Sequence, residues 1–277
     1  CAHTLSALVS YASFLKKYDK AGAPDSGVME GLPGDRKERA LEVIREAEKR
    51  GERRLNEYEG KRLLKAYGIP TAEEGLASSI EEAVEIAQGL GYPVVAKLIS
   101  PDIPHKTEAG VVALNIQSED TLKKVFKEIL ERGRTHHPDA RVDGVLIQEM
   151  VSEQGVETIV GVSHEEPFGP TILFGLGGIF VETMQDVAIR ILPITHKDAE
   201  DMIQQIRGYT ILRGTRGRSP ADMDALYDVL QKTAFLAYEL KEVIAEIDIN
   251  PLIVMEDGKG ARAVDALVLF HEKGGKA

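Results

Sequence analysis

The chain has 277 residues, enough for one large domain or two modest ones, and 43% of them are apolar, enough for a substantial core. Its 34 Lys and Arg against 45 Asp and Glu give a net charge of −11, which argues against a nucleic-acid partner or an anionic membrane surface. The single cysteine, Cys1, excludes a disulfide framework and a cysteine-based metal site, and no apolar run reaches the ~18 residues of a membrane span, so a cytoplasmic globular protein is expected.

The first residue is Cys1 rather than Met, and Cys1-Ala2-His3 reads either as an interior point of a longer protein or as a processed or trimmed product. Leu5, Leu8, Val9, Ala12 and Leu15 recur at helical spacing up to Tyr18, and a linker rich in Gly, Pro and Asp runs from Asp19 to Gly34. Asp35 reads as the cap of a helix through about Arg50, with Leu41, Ile44 and Ala47 on one face. Asn56 to Tyr67 repeats the plan and closes on Gly68, with Pro70 beyond.

From Ala72 helices and strands alternate. Ser79-Ile80-Glu81-Glu82 is a capping box that opens a helix ending near Gly91, and Pro93 to Ile99 is a strand. A second strand, Val111 to Ile116, is expected to pair antiparallel with it through the polar loop Ser100 to Gly110. Asp120 to Arg132 reads as helix and Val145 to Met150 as strand. Further strands follow at Val156 to Val162, Pro170 to Leu176 and Val187 to Leu192. Helices at His196 to Arg207 and Ala221 to Leu240 precede two late strands, Val243 to Ile249 and Ala261 to Phe270. Two mixed blocks meeting near Met150 to Gly155 imply an α+β fold with two lobes.

Several residues carry candidate chemistry. Lys97 stands in an apolar strand, where its ammonium either meets an anion such as phosphate or snorkels to solvent from a strand edge. His105, in the loop that follows, is either a surface histidine or a phosphoryl acceptor, because a neutral imidazole nitrogen is nucleophilic. Gly175-Leu176-Gly177-Gly178 follows a strand and is either a tight turn or a place where backbone N–H groups approach phosphate, with Glu182 and Arg190 completing a polar wall. Glu246, Asp248 and Asn250 share one face of a strand, with Asp265 at a comparable place on the last one. That face is either ordinary solvent-facing surface or a set of hard oxygen ligands for Mg²⁺. The Walker A pattern, a G-x-G-x-x-G after a strand, H-E-x-x-H and G-x-S-x-G are absent, and His136-His137 has no partner for a zinc site.

In order along the chain, Leu55 to Leu64, Gly91 to Lys97, Ser100 to Gly110, Phe174 to Glu182 and Glu246 to Leu252 resemble the ATP-grasp domain of ADP-forming acyl-CoA and acetyl-CoA synthetases. These are relatives of the succinyl-CoA synthetase β subunit, and the resemblance spans about residues 52 to 270. It implies a two-lobed ATP-grasp fold. Residues 1–34 would be the tail of a preceding domain in fused members and 35–71 a helical entry. Residues 72–150 would form the small lid lobe, and 151–277 the core lobe with the metal site.

The resemblance also implies roles. Lys97 would contact nucleotide phosphates with Lys106 close by, and Gln148, Glu149, Met150 and Val151 would form the hinge that reads adenine. Glu157 would stand near the nucleotide, and Gly177 and Gly178 would line the phosphate channel. Asn250 and Asp265, with Asp248 nearby, would bind Mg²⁺. His105 would relay the phosphoryl group. The implied reaction is acyl-CoA + ADP + phosphate ⇌ acid + CoA + ATP, with Mg²⁺ and ATP or ADP bound here. A CoA-binding α portion, in the same chain or a separate subunit, would handle acyl-CoA or acid, CoA and phosphate within an oligomer. Two other readings are a regulatory acyl-CoA-responsive domain of a fused protein acetyltransferase, and a carboxylate–amine ligase of the ATP-grasp group.

Overall fold

Alternation of apolar side chains sorts the strands into two antiparallel sheets, each with helices against one face. The structure, a computed structural model, describes residues 31–103, 106, 109–151, 155–165, 167–178, 186–214 and 219–272. The expected helix over Leu5 to Tyr18, most of the linker after it, His105 and Glu182 lie outside the described residues.

Helix α1 (Arg36–Lys49) buries Ala40, Val43, Ile44 and Ala47. Asp35 makes no side-chain cap bond: its φ of −96° and ψ of 11° depart from the extended backbone that aims a capping oxygen at the helix. A two-residue strand β1 (Arg54–Leu55), missed in the sequence, leads into α2 (Glu57–Ala66). Here the cap is complete. Asn56 Oδ1 accepts from the Glu59 N–H at 3.0 Å, and Glu59 Oε2 accepts from the Asn56 N–H at 3.1 Å.

The smaller sheet has the order β2-β5-β3-β4, from β2 (Glu74–Ala77), β3 (Val94–Ile99), β4 (Val112–Ile116) and β5 (Gly144–Glu149). Helices α3 (Ile80–Leu90) and α4 (Glu119–His136) cover one face, where Ala83, Ala87, Leu122, Phe126 and Ile129 pack on Val94, Ala96, Leu98, Val145 and Ile147. Ser79 caps α3, but the Glu82 carboxylate accepts from the Ser78 N–H at 2.7 Å instead of closing the box on Ser79. β3 and β4 pair antiparallel, as their joining loop requires. Alternation leaves Lys97 and Gln148 on the face without helices.

The larger sheet runs β1-β11-β9-β6-β7-β8, with β10 also on β9. Its strands are β6 (Val156–Glu165), β7 (Gly169–Leu176), β8 (Val187–Ile191), β9 (Ile244–Val254), β10 (Ala261–Ala263) and β11 (Ala266–Phe270). Val160, Val162, Ile172, Phe174, Ile247 and Ile249 share one core with α1, α2, α5 (His196–Gln205), α6 (Tyr209–Leu212) and α7 (Met223–Glu239). β9 runs five residues past its expected end at Ile249, and the expected strand from Ala261 to Phe270 is broken at Val264-Asp265. Pro251 explains the break. Its carbonyl accepts from the Val264 N–H at 3.0 Å, but proline has no N–H to return, so the Val264 carbonyl is left out of the ladder.

Gly60 sets how closely α2 lies on β11. A Cβ there would come 2.9 Å from the Ala266 carbonyl oxygen, a backbone atom that cannot swing aside. Gly60→Ala is therefore expected to destabilise the protein by ~1–3 kcal/mol in chemical denaturation, although alanine is the better helix former.

Candidate active site

The capping box at Asn56 fixes the first turn of α2 and delivers Glu57 to the place where the two sheets meet. Its side chain is buried and both oxygens are engaged. Oε1 accepts from Lys97 Nζ at 2.7 Å and Lys61 Nζ at 2.9 Å, and Oε2 accepts from Lys106 Nζ at 2.6 Å. Burial by itself would raise this carboxyl, but the charges of Lys97, Lys61 and Lys106 outweigh it and hold Glu57 well below the usual carboxylate range. Burial likewise pulls Lys97 down, while Glu57 and then Asp265 carry it above the ordinary lysine value. Lys97 lies on β3, which is flanked by β5 and β4, and only 8% of the residue is exposed. The strand-edge, snorkelling alternative is thus excluded: its cationic end meets a carboxylate.

The orphaned Val264 carbonyl completes this cluster. It accepts from Lys61 Nζ at 2.9 Å, Gln148 Nε2 at 3.0 Å and, more weakly, Lys97 Nζ at 3.4 Å. Glu74 Oε2 accepts from Lys61 at 2.5 Å and from Gln148 Nε2 at 2.8 Å. Burial raises the Glu74 carboxyl, although Lys61 and Gln148 pull it back. With both amide hydrogens of Gln148 committed, its Oε1 is a buried acceptor without a hydrogen-bond donor among the described residues.

A cavity of about 410 Å³ opens beside the cluster. Glu57, Lys106, Asp248, Asn250 and Asp265 supply its polar wall, and Leu55, Ile99, Ile103 and Leu267 an apolar one. On β9, Ile247 and Ile249 turn to the core, so Glu246, Asp248 and Asn250 face the other way. Burial, then repulsion from Glu246 and Asp265, raises Asp248. Burial, then Glu57, raises Asp265 against the pull of Lys97, Lys106 and Lys61. Two carboxylates held in a costly state beside an amide oxygen are a donor set that a hard divalent cation would relieve. No three His, Cys, Asp or Glu side chains form a metal cage among the described residues. Mg²⁺ ordinarily takes one or two carboxylates and completes its shell with water and phosphate, so the residues present fit it.

The other expected site residues lie apart from this cavity lining. Glu149 ends β5, where its Oε1 accepts from the Glu73 N–H at 3.0 Å and lies 3.8 Å from Arg262 Nε. The Met150 N–H reaches the Pro93 carbonyl at 3.4 Å, and Val151 follows, half-buried. Glu157, Gly177 and Gly178 form a corner of their own: the Gly177 N–H donates to the Glu157 carbonyl at 2.8 Å, and a Cβ on Gly177 would stand 3.1 Å from the Glu157 carbonyl carbon. Gly178 has φ of +62°, which favours glycine. The Arg190 guanidinium donates to the Ile189 carbonyl at 2.8 Å and does not line the cavity.

Sequence reasoning missed Glu57, Lys61, Glu74 and the Val264 carbonyl. Glu57 and Lys61 are four residues apart on a helix, a spacing that ordinarily marks a solvent-exposed pair. Pro251 inside a strand was the available signal for the freed carbonyl.

Replacing Lys61 leaves Glu57 and Glu74 buried and short of a cation. Lys61→Met is expected to cost ~3–5 kcal/mol in denaturant unfolding. The folded pKa of Glu57 lies below its unfolded value, so its stabilising contribution is full above the ordinary carboxylate range and drains as pH falls through the lowered value. Lys61→Met weakens that lowering, and acid unfolding followed by circular dichroism is expected to move to higher pH.

Residues 46–269 match the ATP-grasp domain family. The β subunit of the ADP-forming acetate–CoA ligase II of Pyrococcus furiosus is 49% identical over 231 residues, covering 83% of this chain and 98% of that one. A crystal structure of PH1788 from Pyrococcus horikoshii has a TM-score of 0.81 and 48% identity, covering 85% of this chain and 99% of that one. The acetyl-coenzyme A synthetase 1 of Ca. Korarchaeum cryptofilum, in complex with coenzyme A and Ca-AMPCP, has a TM-score of 0.80 and 39% identity over 84% of this chain and 100% of that one. A second structure of that enzyme, with a TM-score of 0.74, 37% identity and the same coverage, holds coenzyme A and Mg-AMPPCP, its phosphohistidine segment pointing towards the nucleotide-binding site.

Proposed function

The chain belongs to the ATP-grasp family, in the group of ADP-forming acetyl-CoA synthetase β subunits, and on that footing we propose that it is the nucleotide-handling part of an ADP-forming acyl-CoA synthetase. It binds ADP or ATP where the two sheets meet and exchanges a phosphoryl group with a CoA-binding α portion, in the same chain or a separate subunit. The net reaction is acyl-CoA + ADP + phosphate ⇌ acid + CoA + ATP. The observation that carries this reading is the pairing, at one junction, of the ammoniums of Lys97 and Lys106 with a hard-oxygen face at Asp248, Asn250 and Asp265.

Lys97 and Lys106 would neutralise phosphate oxygens and align the chain of phosphates, the positioning and charge stabilisation that phosphoryl transfer needs. Gln148 Oε1, a buried acceptor without a donor among the described residues, suits the exocyclic amine of adenine, and the backbone of Glu149 to Val151 continues that edge. Glu157, Gly177 and Gly178 would bound the site at the β6–β7 corner. Asp265 and Asn250, with Asp248 beside them, would hold Mg²⁺, which when bound spreads the charge of the phosphate oxygens.

The role of His105 rests on the resemblance of Ser100 to Gly110 to the phosphohistidine segment. In the direction of ATP formation, the N–P bond at His105 breaks while a β-phosphate oxygen of ADP forms the new P–O bond, leaving a neutral imidazole. What supports acyl-CoA chemistry over carboxylate–amine ligation is that relatives near half identity are named as CoA ligase β subunits. Acyl selection would lie with the α portion.

Calorimetry of the chain with ADP and Mg²⁺ is expected to show binding, weakened at least ~10-fold by Lys97→Met, the loss of one charge-assisted contact. No heat from a folded wild-type chain would reject the reading. In the enzyme assembled with its α portion, His105→Ala is expected to abolish acyl-CoA synthesis while Mg-ADP binding persists, and unchanged turnover would reject the relay.

A further inference from the structure

We infer that Glu57 is a positioning residue that makes nucleotide binding depend on the metal: it holds Lys97 and Lys106 aimed at the phosphates while its charge opposes polyphosphate that arrives without a cation. This rests on the functional reading above.

Donor accounting separates the three lysines. An ammonium has three N–H groups. Lys61 spends all three, on Glu57, Glu74 and the Val264 carbonyl, and it is fully buried. It is a buttress for Glu57 with nothing left for a ligand. Among the described residues, Lys97 spends one on Glu57 and a long one on Val264, which leaves one. Lys106 spends one on Glu57 and, among the described residues, none elsewhere, and it lines the cavity. The two lysines with N–H groups to offer sit on opposite oxygens of a single planar carboxylate. Glu57 therefore sets their spacing as a template would.

The same carboxylate competes with what the lysines are to bind. Its oxygens lie 2.7 and 2.6 Å from Lys97 and Lys106, the distances a phosphate oxygen would take, and Asp265 adds further negative charge nearby. A bare polyphosphate must share both ammoniums with Glu57 at close range. One unit charge at ~5 Å shifts an affinity by roughly tenfold to a few hundredfold as the effective dielectric constant goes from ~40 to ~20. When a divalent cation arrives with the phosphates, their charge is largely offset and the opposition fades. Electrostatics thus predict an effect on the metal requirement, separate from the effect of Glu57 on stability.

The test is calorimetric titration of the full chain with ADP, once with Mg²⁺ and once with EDTA, in the wild type and in Glu57→Gln. The ratio of metal-free to Mg²⁺-bound Kd is expected to fall on the order of tenfold in the variant, chiefly through tighter metal-free binding. A merely structural Glu57 would weaken both titrations together and leave the ratio unchanged, which would overturn the inference. Should Glu57→Gln fail to fold, Lys106→Met takes its place. It removes a cation while Glu57 stays, so the ratio is expected to rise by a similar factor, and an unchanged ratio again overturns the inference. Wild type that binds no Mg-ADP overturns the functional reading as well; wild type that binds it, with ratios unmoved in the variants, overturns this inference alone.

Discussion

A buried carboxylate shared by three ammoniums is the constraint around which this protein is arranged. Glu57 is costly to desolvate unless Lys61, Lys97 and Lys106 are in place, and none of those cations is cheaply buried without it. The partners come from different parts of the fold: Lys61 from α2, Lys97 from the smaller sheet, Lys106 from the loop after β3. The larger sheet contributes the Val264 carbonyl, which is free because Pro251 returns no hydrogen bond. Satisfying one side chain thus ties both sheets and the polar loop together. The Asn56 capping box and the close approach at Gly60 are the local conditions for it.

The electrostatics of the cavity follow from the same arrangement. Burial raises the Asp248 and Asp265 carboxyls, and with lysine charge concentrated on Glu57 both stay underneutralised. The protein carries that cost in its ligand-free form, and a cation would lift it. On the proposed function, nucleotide phosphates would meet the ammoniums of Lys97 and Lys106, and Mg²⁺ the oxygens of Asp248, Asn250 and Asp265, all gathered around Glu57. Cations placed locally in this way account for how a chain with a net charge of −11 can offer a phosphate site at all.

Much of the fold was legible because its elements carry strong local signals. The caps at Asn56 and Ser79, the helical periodicities and the apolar runs of β3, β5 and β7 mark themselves. β1 and β2 were missed because two and four residues are too short for periodicity to speak, and their strand character comes from pairing with β11 and β5. Asp35 misled because residue type indicates a cap while backbone angle decides it. In the site, Lys97 was conspicuous because an ammonium in an apolar strand needs a reason, and the alternation from Glu246 to Asn250 was visible as a face. Glu57 and Lys61 were hidden, since their spacing is that of many solvent-exposed helical pairs. What distinguishes them is a contact to Lys97, 40 residues away, and one to Val264, 203 residues away. No local pattern contains such separations.

The central claim, that Glu57 and Lys97 act as one unit, is tested most directly by a double-mutant cycle on unfolding free energy with Glu57→Gln and Lys97→Met. The account predicts a coupling of at least ~2 kcal/mol, because each single variant takes a close partner from a buried charge. Effects that add to within ~0.5 kcal/mol would contradict it.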